Sequence, residues 1–310
     1  MTSVKPCSYS GFAIDEVKSA LQKAIRRGKI WECLQWTVEM FEVDTDDTNR
    51  VTSTRTNLFN RLLVISIEDI SPTSAEAILL VWNLIRNNRN NVLAYMTAAL
   101  YLCNCKKSRV NDWACHYYED TQPSDMQPID IANNLKINLT NKNILQSLWC
   151  FEILTRCKVN ISGYKYRKSL YLFWVVLNDL FPDNIYIKYL QEIALTENWR
   201  WQHKSHLIYC HLIHLICQNM LPNNNTTMKW CTNIIINSEL NKYLDTIKSK
   251  KYLVPIPDYA IDKHTTKGRN MGRDSQFFLD NGAVLTNIDY IWQEWSDFYL
   301  NKFKHLKNLK

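Results

Sequence analysis

Apolar residues recur at every third or fourth position through most of this chain, the spacing that lines one face of an α-helix. Ile14, Val17, Leu21, Ala24 and Ile25 form one such line, ending near Gly28, and Trp31, Leu34, Val38 and Phe41 form the next. A third helix is expected through TNLFNRLLVISIEDI. A fourth should begin at SPTSAEAILL, with Ser71 or Ser74 as its cap and Glu76 in its first turn; NVLAYMTAALYLCN is a fifth. The pattern resumes in ILQSLWCFEIL, KSLYLFWVVLNDLF, NIYIKYLQEIAL, HLIYCHLIHLIC, WCTNIIINSELNKYL and YIWQEWSDFYLNKFKHL. Few stretches alternate as strands do, and no repeat of fixed period is present. The expected fold is all-α, a multi-helix bundle.

A chain of 310 residues holds one large domain or two ordinary ones. DTDDTNRVTS (44–53) is expected to be an exposed loop, and polar residues with two prolines interrupt the helical pattern over 106–130. The reading is therefore a helical module over 13–112, a linker over 113–130, and a second helical domain over 131–310 that carries a basic, glycine-containing loop at 255–285.

MTSVKPCSYSGF is not followed by the apolar segment of a secretory leader. The longest apolar runs, LLVISI (62–67) and LYLFWVVL (170–177), are too short to span a bilayer, so no membrane partner is expected. The ten cysteines lie scattered on helix faces. They are expected to be reduced thiols in an intracellular protein of cytoplasm or nucleus. A formal charge of +7 favours an anionic partner such as nucleic acid, and serves solubility equally well. The Asn-, Lys- and Ile-rich composition points to an AT-rich genome, a viral one included.

Four segments follow one another in an order known elsewhere. SALQKAIRRGKIWECLQWTVEMF, NRLLVISIEDI, SAEAILLVWNLI and AALYLCNCKKSRVND, spread over residues 14–112, resemble the C-terminal helical region of the replication-associated recombination AAA+ ATPases and their Werner-helicase-interacting relatives. In that family the region supports oligomerisation in a clamp-loader-like assembly. The resemblance therefore implies a clamp-loader-collar-like N-terminal part, protein partners or a homo-oligomer, and a setting in DNA replication or repair. Ser71 stands where the family has Gly, and Arg109 where it has Asn. The ATPase module is missing, because no GxxxxGK[ST] occurs to hold phosphates, so neither ATP hydrolysis by that route nor any cofactor is expected. Within this region Arg61, Glu68 and Asp69 are expected to form a structural ion pair. A Glu-Asp pair at a helix C-terminus opposes the helix dipole and needs a cation, for which Arg26 and Arg27 are also candidates.

The chain has six glycines, and two of them, Gly268 and Gly272, fall within HTTKGRNMGR (264–273). Lys263, Lys267, Arg269 and Arg273 crowd the same stretch, with Asp258, Asp262 and Asp274 only at its flanks. Three readings stay open. The stretch is a structural turn with solvated cations, a nucleic-acid contact in which Lys and Arg meet phosphates over a closely approaching Gly backbone, or a catalytic loop with His264 oriented by Asp262. On the nucleic-acid reading, Lys106, Lys107 and Arg109 and the basic C-terminal tail (Lys302, Lys304, Lys307, Lys310) join it in one stripe. The favoured function is a non-catalytic replication or repair protein. An enzyme acting on a phosphorylated or nucleic-acid substrate and a purely structural interaction protein are the alternatives.

His206, Cys210 and His214 lie one turn apart on a single helix, and zinc takes these ligand types. Three ligands on one straight helix cannot close a tetrahedron, since the outer two stand about 12 Å apart at the helical rise. Cys103, Cys105, Cys115 and His116 fit no finger spacing either. No metal is expected.

Overall fold

A computed structural model describes residues 7–118, 125–156, 169–196, 205–223, 236–250 and 253–309. Helices in the first part of the chain are α1 (Ile14–Arg26), α2 (Ile30–Phe41), α3 (Thr48–Ile65), α4 (Ala77–Arg86), α5 (Val92–Asn104), α6 (Val110–His116) and α7 (Pro128–Thr140). Then come α8 (Ile144–Arg156), α9 (Ser169–Leu180), α10 (Ile185–Thr196), α11 (Ser205–Cys217), α12 (Asn241–Lys248), α13 (Thr266–Asn270) and α14 (Tyr290–Leu306). No strand occurs among the described residues, only two isolated bridges, and the fold is all-α. Among those residues no helix is long and apolar enough to cross a membrane.

The chain forms two compact units. The first gathers 1–108, 233–291 and 308–310, and the second 109–232 and 292–307. This differs from the expected division into 13–112 and 131–310. The expected linker, 113–130, begins inside the helix Val110–His116 and ends inside the helix Pro128–Thr140, and its residues 119–124 lie outside the described ones. Segment 233–291, expected in the second domain, returns to the first unit. The reason is apolar: Leu240, Leu244 and Ile247 join Leu34, Val38 and Met96 in one buried cluster.

Local chemistry explains the helix boundaries of the first unit. Gly28, at φ +63, ends α1 in a conformation that side chains disfavour. The Asp47 carboxylate caps α3 by accepting from the Asn49 and Arg50 amides, and the Asn91 side chain caps α5 at Leu93. Val17, Ala20, Leu21, Ala24 and Ile25 are fully buried on α1. The polar residues of the same helix carry the site.

In the second unit Pro128 opens α7, where its missing amide proton costs nothing. The core is aromatic. Phe151, Phe173, Trp174 and Tyr209 pack ring to ring, and the Trp174 indole donates to the Tyr209 hydroxyl at 3.2 Å.

Candidate nucleic-acid contact

All of the glycine-bearing basic segment belongs to the first unit, and α1 organises it. Asp15, Ser19 and Lys23 stand at i, i+4 and i+8 on that helix and make a polar stripe beside its apolar face. Asp15 Oδ2 accepts the Thr266 amide at 2.7 Å, at the start of α13. Ser19 Oγ donates to the Ala260 carbonyl at 2.7 Å, and Lys23 Nζ reaches Asp262 Oδ2 at 2.5 Å. Asp262 is fully buried. Its other oxygen accepts the His264 amide at 2.9 Å and faces His264 Nδ1 at 3.1 Å.

Electrostatics follow from this burial. Desolvation alone would raise the Asp262 carboxyl, but hydrogen bonds from His264 and the Lys23 ammonium outweigh it and hold the group well below the usual carboxylate range. Burial pulls the Lys23 ammonium down to about 8, against the opposing pull of Asp262.

Each glycine has an architectural reason to be there. A Cβ on Gly268 would sit 2.0 Å from the Asp262 carbonyl oxygen, so α13 can lie on that backbone only with a glycine. Thr265 completes the joint, its hydroxyl donating to the Asp262 carbonyl and accepting from the Gly268 amide, both at 3.0 Å. Gly272 takes φ +70 just after α13, where the Arg273 amide returns to the Gly268 carbonyl. A Cβ on Gly282 would meet Asp262 Oδ2 at 2.7 Å, and its carbonyl accepts Arg26 Nη1 at 2.7 Å.

The cations divide into committed and uncommitted ones. Arg273 binds Asp258 Oδ1 at 2.5 Å and the Asp258 and Ile261 carbonyls, which makes it a clasp. Lys107 is fully buried, and its ammonium donates to the Cys103 and Cys105 carbonyls at the end of α5. Arg109 is buried, pairs with Asp112 and lies over the Trp113 ring. These three are spent on the fold. Lys263 donates to Ser275 Oγ at 2.8 Å and lies over Phe278. Lys106, Lys267 and Arg269 are exposed. Arg269 donates only to neutral oxygens, the Lys263 carbonyl and Thr266 Oγ1, and neither it nor Lys267 forms an ion pair among the described residues. The cations expected in one stripe fall in both units. Lys106, Lys107 and residues 263–273 are in the first, Arg109, Lys302, Lys304 and Lys307 in the second, and Lys310 is outside the described residues.

The Glu68–Asp69 pair sits in a π-turn at the end of α3. Its cation is Arg26, whose Nη2 reaches Glu68 Oε1 and whose Nε reaches Asp69 Oδ1, each at 2.9 Å. Arg61 donates to Gln22 Oε1 at 2.9 Å, and Gln22 Nε2 donates to Asp69 Oδ2 at 2.8 Å, closing a buried network.

The histidine stripe is held by protein groups. His206 packs edge-on to Phe151, and His214 bonds Asn111 at 3.1 Å and Tyr299 at 3.2 Å. Among the described residues no three ligating side chains converge on a metal position. Of the other cysteine group, Cys103 and Cys105 belong to the first unit and Cys115 and His116 to the second.

Sequence reasoning missed Lys23 and Asp15. The signal was present as an i, i+4, i+8 row of Asp15, Ser19 and Lys23 on the polar side of an amphipathic helix, where Glu16, Lys18, Gln22 and Arg26 also stand. No family model, no curated protein and no solved structure matches this chain.

Proposed function

We propose that this is a non-catalytic helical protein of DNA replication or repair that meets a nucleic-acid backbone at α13, through Lys263, Lys267 and Arg269. One observation carries the reading: Lys267 and Arg269 stand exposed on a short helix packed on the Asp262 backbone, without a carboxylate partner among the described residues, while Arg273 and the three glycines hold that segment in place. Fixed cations meet phosphates with less loss of side-chain freedom than cations on a loose loop. The clamp-loader setting, with a partner or a second copy bound at residues 14–112, rests on the resemblance of the segments in that range. Replacing Lys263, Lys267 and Arg269 by Ala tests the contact by fluorescence anisotropy on labelled duplex and single-stranded DNA. The reading expects affinity to fall by roughly an order of magnitude or more with circular dichroism unchanged. Equal affinity of variant and parent removes it.

A second reading has its own observation. A buried carboxylate 3.1 Å from Nδ1 of a side chain that is 56% exposed is how a histidine base is oriented. On this reading His264 turns over a phosphorylated or nucleic-acid substrate with Asp262 positioning it. His264→Ala then abolishes phosphodiester or phosphomonoester cleavage while DNA affinity stays. Absence of cleavage by the parent protein excludes it.

A further inference from the structure

Two helices of the second unit bring a pair of thiols into contact. Cys115, in the last turn of α6, and Cys210, in the middle of α11, place their sulfurs 3.5 Å apart across 95 positions of chain. One turn away on each helix, Asn111 Oδ1 and His214 Nδ1 meet at 3.1 Å, so the two helices are pinned beside the sulfurs. A disulfide bond is about 2.05 Å long, so about 1.5 Å of approach closes it.

The pair also differs from another thiol contact in the molecule. Cys33 and Cys103 hydrogen-bond in the first unit, but both are buried, at 0% and 2% exposure. Cys210 is likewise enclosed, whereas Cys115 is only half-buried. Cys115 is therefore the member of the pair that a small oxidant meets first.

We propose that Cys115 and Cys210 join in a disulfide when the protein meets a hydroperoxide, locking α6 to α11. Cys115 sulfur loses its proton and takes the terminal oxygen of the peroxide as the O–O bond breaks, leaving a sulfenic acid and water or an alcohol. Cys210 sulfur then attacks Cys115 sulfur. The S–S bond forms, the S–O bond breaks, and the departing hydroxide leaves as water with the Cys210 proton. Two thiols are oxidised and one hydroperoxide is reduced. Burial pushes the Cys115 thiol up, which keeps the reactive thiolate scarce. The bond forms slowly, as a lock for sustained oxidation.

The test uses the full chain, reduced, exposed to hydrogen peroxide, alkylated and mapped without reductant. A peptide linking Cys115 to Cys210 should appear before any other cross-link. The thermal midpoint should rise by roughly 5 °C, reversibly with dithiothreitol, because the bond closes a long loop. In Cys210→Ser the midpoint should stay put and Cys115 should become trappable as a sulfenic acid. If that variant does not fold, the map of the parent protein decides alone. Cys115 and Cys210 both remaining alkylated, or each oxidised singly while other cysteines cross-link, overturns the proposal.

Discussion

Lys23 Nζ lies 2.5 Å from Asp262 Oδ2, and 239 positions of chain separate the two residues. Both side chains are buried, so the pair joins the late segment to α1 with charges that water cannot satisfy once either partner is gone. Lys23→Met and Asp262→Asn should each lower unfolding free energy by about 3–5 kcal/mol in urea titrations. The double variant should recover part of that loss, since it leaves no lone buried charge. Additive losses in the cycle would show that the pair is not coupled.

The glycines make a graded prediction. Gly268→Ala forces a methyl onto the Asp262 backbone and should cost about 3 kcal/mol or more. Gly272→Ala meets open space and has only its φ of +70 against it, so about 1–2 kcal/mol is expected. Equal effects at the two positions in thermal denaturation would contradict the close approach of α13 to Asp262.

Much of this was legible in the sequence, for reasons specific to each element. The apolar face of α1 reads directly from its 3.6-residue period because burial and period are one fact. The return of 233–291 did not read. Leu240, Leu244 and Ile247 announce an amphipathic helix, but an apolar stripe does not name the helix that will cover it. The role of Gly268 was open for a similar reason: a glycine that admits a phosphate and one that admits a neighbouring carbonyl look alike until the neighbour is placed. Lys107 and Arg109 read as surface cations because sequence charge carries no depth, and both are buried.

Acid should weaken the second unit first. Burial depresses His211 to about 3 and His214 to about 4, so both are neutral when folded and must gain a proton only on unfolding. A depressed histidine binds fewer protons in the folded state, so stability falls as pH drops below the unfolded value near 6.5. Between pH 7 and pH 5 each should remove roughly 2 kcal/mol. Urea midpoints at pH 7, 6 and 5 read this. His214→Gln should flatten the slope by about half, and a pH-independent midpoint over that range would refute the buried, neutral assignment.

Salt dependence of DNA binding is the most direct measure of the central claim. Three phosphate contacts, from Lys263, Lys267 and Arg269, give a slope of log affinity on log salt near −2.7, so binding should weaken about 40-fold between 50 and 200 mM salt. The triple alanine variant should lose most of that slope. A parent slope near zero, or a slope that the variant leaves unchanged, would contradict a nucleic-acid contact at α13.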